Sequence, residues 1–185
     1  AEISYDLTLL PKKRAILSAE KTPNTCVVPI ERNQERETKF VWISPILITS
    51  TGLFQLIERP ISNRFITLSD AKNFRIGSHL GSATGEYLAS MGFNIDVVAK
   101  NSANIYKMTA DRIDLWESDS ITAEYVSQKT GIKISSSELD FFTHLKAIGC
   151  HIDTSQAISK KVRQSLKKMY SSGFIDKVVS EFERR

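Results

Sequence analysis

Three stretches of the chain carry residue types that could do chemistry. The first is Arg32 to Ile46, RNQERETKFVWISPI, in which Arg36 stands between Glu35 and Glu37 and is followed by Trp42 and Ser44-Pro45. A guanidinium offers two parallel N–H groups in a rigid fork that matches a carboxylate, and a loop entering a strand can hold one in place. The plainer reading is an exposed arginine in a mixed-charge loop, where ion pairs are weak, with Trp42 anchoring the next strand. The second stretch is Arg75 to Glu86, RIGSHLGSATGE, where Ser82, Thr84 and Gly85 lead into a helix. Small residues at a helix start leave backbone N–H groups available to an anion; a simple Ser or Thr cap is the commoner role, and the spacing is neither a Walker loop nor GxGxxG. The third, DRIDLWESDS from Asp111, reads as a strand emerging into Asp114, Glu117 and Asp119. Asp119 is placed either to cap the following helix or to receive an ammonium group. Arginine, helix start and aspartate are the groups an amino acid requires, two for its carboxylate and one for its amine.

These groups need elements to carry them. Ile3, Tyr5, Leu7 and Leu9 alternate with polar residues as a half-buried strand does, and Pro11 then suits the start of a helix through Arg14, Ile16 and Ala19. Further strands are expected at Thr25 to Ile30, Leu53 to Ile57, Arg75 to Gly77, Ile95 to Ala99 and Arg112 to Trp116. Helices are expected at Gly85 to Met91, Ala103 to Ala110, Ser120 to Lys129, Gln156 to Tyr170 and Phe174 to Phe182. Strands alternating with helices specify α/β layers.

Composition excludes several classes. The 185 residues are 41% hydrophobic and 25% charged, ordinary for a globular protein with a core. Although the net charge is +4, the 25 basic and 21 acidic residues are interleaved, which argues against nucleic acid as a partner. The basic run Lys160, Lys161, Arg163, Lys167 and Lys168 shares a helical pattern with Ile158, Val162, Leu166 and Met169, so it reads as a solvated helix face. No apolar run is long enough to span a membrane. His144, Cys150 and His151 lack a second ligand pair at zinc spacing, so neither a metal nor a cofactor is expected. Cys26 and Cys150 fit a reduced pair or one long-loop disulfide, and their apolar settings, TCVVP and AIGC, favour two buried thiols.

In order and spacing these stretches resemble the family 3 extracellular solute-binding proteins, the periplasmic amino-acid-binding components of ABC transporters. Asn33-Gln-Glu-Arg36 with Phe40-Val-Trp42-Ile-Ser-Pro45 is similar to the family's Thr-Pro-Glu-Arg segment and the aromatic, serine and proline positions after it. Ile76-Gly-Ser-His-Leu-Gly-Ser-Ala-Thr84 resembles its second-lobe glycine-serine/threonine turn. Arg112-Ile-Asp114 resembles its Gly-Arg-Ile-Asp strand, and Val162 to Phe182 its terminal helix pair. The resemblance implies a two-lobed periplasmic-binding-protein-like (type II) α/β fold, with lobe 1 over residues 1–47 plus 146–185, lobe 2 over 48–145, and two crossing strands joining them. It implies an interlobe ligand site in which Arg36 clamps a carboxylate, Ser82, Ala83 and Thr84 line the second-lobe turn, and Asp119 holds an amine. Glu31 and Asn33 stand where the family often has threonines, and a carboxylate such as Glu31 favours a cationic ligand or repels an acidic one.

The implied function is binding without catalysis, in the periplasm, with a small-molecule ligand and a membrane permease as partners. A sensory or truncated module is the alternative. A dehydratase-like enzyme is a third, for which Glu117 is the candidate general acid, although a solvated strand-end glutamate is the plainer reading. Family members begin with a strand and helix ahead of the segment matching Ile3, so a missing first strand and self-association through an open lobe 1 edge around Ala1 to Leu10 are expected.

Overall fold

The computed structural model describes residues 3–61 and 67–183, without the side chains at 137, 138, 182 and 183. Ala1 and Glu2, part of the segment expected to associate, lie outside the described residues. The chain divides into two units, Ala1–Ile48 with Leu145–Arg185, and Thr49–His144.

In the first unit, helix α1 (Lys12–Lys21) begins directly after Pro11, whose fixed φ suits that boundary. Its inner residues Ile16 and Ala19 pack on Val27 and Ile30 of strand β1 (Cys26–Glu31), and Phe40, Trp42 and Ala147 complete this core. Trp42 and Phe40 belong to strand β2 (Phe40–Leu56) and Ala147 to strand β6 (Ile134–His151), the two strands long enough to run from one unit into the other. β1 pairs antiparallel with β6, setting Cys26 opposite Cys150 and Glu31 opposite Lys146. Helices α5 (Gln156–Ser171) and α6 (Phe174–Glu183) close the unit. Arg163 and Tyr170 of α5 donate to the carbonyls of Trp42 and Ile46, at 2.9 Å and 2.7 Å, while Lys160, Lys161, Lys167 and Lys168 are exposed as a solvated face.

Two expectations fail in this unit. Residues 3–10 form no strand, and Tyr5, Leu7 and Leu9 are exposed, because no strand among the described residues pairs with them and alternation alone supplies no partner. Cys26 and Cys150 are also not free thiols but a disulfide. The register of β1 on β6 sets the two residues face to face, and only Cys150 is buried.

In the second unit, strands β3 (Arg75–His79), β4 (Asn94–Val98) and β5 (Leu115–Asp119) are parallel, and the end of β2 joins β5 antiparallel, giving the order β2-β5-β3-β4. β5 begins three residues later than expected. Asp114 accepts the Arg75 backbone N–H at 2.7 Å and its guanidinium at 2.6 and 3.0 Å, and Asp111 takes a left-handed φ of 55°, so Arg112 to Asp114 stay outside the strand. Helices α2 (Ala83–Ser90), α3 (Asn101–Thr109) and α4 (Ser120–Thr130) each follow one parallel strand. Their N-termini therefore gather at the C-terminal edge of the sheet, where open α/β sheets place their ligand crevices. Leu53, Ile76 and Leu115 on one sheet face pack with Leu88 of α2, while Trp116 on the other packs with Ile105, Met108 and Val126 of α3 and α4.

Candidate functional site

Each unit holds part of the expected constellation. In the first, Asn33 caps a 3-10 helix, Gln34–Lys39, by accepting the Arg36 backbone N–H at 3.0 Å, so Asn33 shapes the turn that carries Arg36. Arg36 is only 6% exposed, which sets aside its reading as a surface arginine. Its Nη1 stands 3.5 Å from Oε2 of Glu31, itself 5% exposed. Lys12 and Lys146 donate to Glu31 Oε1 at 2.8 Å and 2.7 Å. Burial alone would push the Glu31 carboxyl up, but Lys12 and Lys146 beside it outweigh burial and hold it far below the usual carboxylate range. Glu31 is thus an ionised carboxylate already met by cations of its own unit.

In the second unit, Ser82 caps α2 by accepting the Gly85 N–H at 3.2 Å, and Ala83, Thr84 and Gly85, the first residues of the helix, are buried. Asp119 caps α4, taking the N–H of Thr122 at 3.0 Å and its hydroxyl at 2.9 Å. Register and alternation put Asp119, Glu117, Leu115, Leu53, Thr51, Ile76 and Ser78 on the sheet face that α2 covers. That face changes from apolar to polar toward the C-terminal edge, where Thr51, Ser78, Thr84 and Glu117 are buried together with the start of α2.

The plainer of the two readings of Glu117 in the sequence is a solvated strand-end glutamate. The structure corrects this, for Glu117 is 4% exposed and accepts the Ser78 hydroxyl at 2.6 Å. Gly85 lets the helix approach this pair, since a Cβ there would fall 2.0 Å from Ser78 Oγ. His144, considered only as a metal ligand, instead joins Thr84 Oγ1 through Nε2 at 2.8 Å. Glu117 was signalled by the acidic run DLWESD, whereas the Ser78 and His144 contacts depend on register and carried no signal. Among the described residues no group of His, Cys, Asp and Glu could hold a metal ion, and no helix is long and apolar enough to cross a membrane.

No family model matches the sequence, and no curated protein matches it. Solved structures do. A histidine kinase sensor domain with similarity to periplasmic binding proteins superposes with a TM-score of 0.81 at 12% identity, over 92% of this chain and 75% of that one. The substrate-binding protein of an amino acid ABC transporter gives 0.80 at 17%, over 97% and 80%. The AvGluR1 ligand-binding domain in complex with glutamate gives 0.81 at 18%, over 97% and 77%. The fold is periplasmic-binding-protein-like. At such identities the likeness speaks for the fold alone, and a sensor domain, a transporter's substrate-binding protein and a ligand-binding domain share it.

Proposed function

We propose that the chain is a solute-binding module that takes a small polar solute, an amino acid in the first instance, and carries out no chemistry on it. In this reading Arg36 receives the carboxylate, Asp119 the ammonium group, and Ser82, Ala83 and Thr84 present the first turn of α2 beside it. The observation that carries the reading is the polar end of the second unit's sheet, where Asp119 and the start of α2 both lie at the C-terminal edge of parallel strands. The ligands named for solved structures of the same fold support it, glutamate in one and an amino acid transporter's substrate in another. Binding would favour whichever conformation lets more of these groups touch the solute, so ligand and conformation are coupled by differential affinity.

The Cys26–Cys150 disulfide supports an extracytoplasmic setting, since such bonds persist where thiols are not kept reduced. A periplasmic role with an ABC permease as partner fits that setting, as does a sensory role, the second reading, which the histidine kinase sensor domain favours. Glu117, buried and bonded to Ser78, has an internal duty that supports binding over catalysis, and no cofactor enters the reading. Titration calorimetry with L-glutamate, L-glutamine and L-arginine tests the proposal. Saturable binding of at least one is expected, and heat of dilution alone with all three would refute it.

A further inference from the structure

Glu31 ends β1 with its carboxylate buried and cations from three other elements around it: Lys12 of α1, Lys146 of β6 and Arg36 of the 3-10 helix. The two carboxylate oxygens are treated differently. Oε1 takes both ammonium groups, while Oε2 is buried, makes no hydrogen bond among the described residues and faces the Arg36 guanidinium at 3.5 Å. An isolated buried carboxylate would be very costly, and so would the three cations facing one another without it. The backbone of the first unit therefore builds a cationic pocket, and the chain fills it with its own anion.

We propose that Glu31 is a built-in carboxylate occupying an anion pocket formed by Lys12, Arg36 and Lys146, and that it sets what this unit accepts, because a solute carboxylate reaches Arg36 only by competing with it. The pocket stands on the geometry above; the consequence for ligand choice rests on the amino-acid reading. Glu31 is then a specificity residue that lowers affinity for carboxylates as a class, and its removal should raise it.

The chemistry supplies a direct probe. Truncating Glu31 to Ala removes a CH₂–COO⁻ group, which acetate matches in size and charge. In thermal unfolding of the full chain, Glu31→Ala should show a saturable rise of the midpoint in sodium acetate over sodium chloride at equal ionic strength, on the order of 3–6 °C at tenfold excess over its Kd. Wild type should respond to acetate as it does to chloride, as should Glu31→Gln, whose amide fills the space. If Glu31→Ala does not fold in chloride, recovery of folded protein in acetate supports the pocket, and recovery in neither salt overturns it. Equal effects of acetate and chloride on a folded Glu31→Ala also overturn it. For an amino acid that wild type binds, Glu31→Gln should tighten binding tenfold or more, and unchanged affinity would overturn the competition. If acetate rescues Glu31→Ala while no amino acid binds either protein, the pocket stands and the amino-acid reading falls. If amino acids bind and acetate does not rescue, the reverse holds.

Discussion

Reducing the Cys26–Cys150 bond is expected to cost a large part of the protein's stability. The two residues are 124 positions apart, so the bond closes a loop that contains the whole second unit. Cross-linking ends that far apart removes loop-closure entropy from the unfolded chain worth about 5 kcal/mol at 25 °C. Net stabilities of domains are about 5 to 15 kcal/mol, so the loss would be a third or more of the total. For a chain of this size it corresponds to a fall in Tm of roughly 10 to 20 °C. The bond joins residues that the β1–β6 register already sets opposite each other, so the reduced chain can keep its fold, and Cys26 is exposed and open to a reductant. The assay pairs thermal unfolding followed by circular dichroism, with and without reductant, with thiol titration of the denatured protein. No free thiol before reduction and two after it are expected, with the midpoint falling. Two thiols in the unreduced protein would refute the bond, and full reduction moving the midpoint by less than about 2 °C would refute the loop-entropy reasoning.

Gly85→Ala should destabilise, although replacing a helical glycine by alanine ordinarily stabilises by about 1 kcal/mol, because the new Cβ would lie 2.0 Å from Ser78 Oγ and such crowding costs about 1 to 3 kcal/mol. Chemical denaturation of Gly85→Ala, Ser78→Ala and the double variant should show the two changes costing less together than their sum, and simple additivity would count against the contact. Acid should unfold the protein partly through Glu31. Its carboxyl is depressed in the folded state, so it contributes stability that is full above its ordinary value of 4.5 and is lost as the pH falls below that. The stability of Glu31→Gln should therefore depend less steeply on pH below 4.5, and a slope equal to that of wild type would show that Glu31 is not the group responsible.

Much of the fold was legible because the strongest signals were local. The helices at Lys12–Lys21, Ser120–Thr130 and Gln156–Ser171 announce themselves by apolar spacing, and the first two also by the proline and Asp119 ahead of them. Only the end of β6 is legible, in the apolar AIGC and in the crossing strand that the resemblance implies, while the serines at its start, ISSSE, favour loops. Ile3 to Leu9 erred in the opposite direction, with alternation but no partner strand among the described residues. For the site, the types of Arg36, Ser82 and Asp119 could be read, and both caps followed from position. What could not be read was pairing at long range. Lys146 lies 115 residues from Glu31 and His144 60 residues from Thr84, so their contacts exist only once β6 has found its register. The disulfide eluded composition for the same reason.

The most direct test of the central claim is calorimetric titration of Arg36→Ala and Asp119→Ala with whichever amino acid wild type binds. A charge-assisted hydrogen bond contributes roughly 1.5 to 3 kcal/mol, so each variant should bind about ten to a hundred times more weakly while unfolding as cooperatively as wild type. Arg36→Lys should not recover the loss, because an ammonium lacks the planar fork that a carboxylate matches. Affinity unchanged in both alanine variants would contradict the account and leave the chain with the fold of a solute-binding protein but not this site.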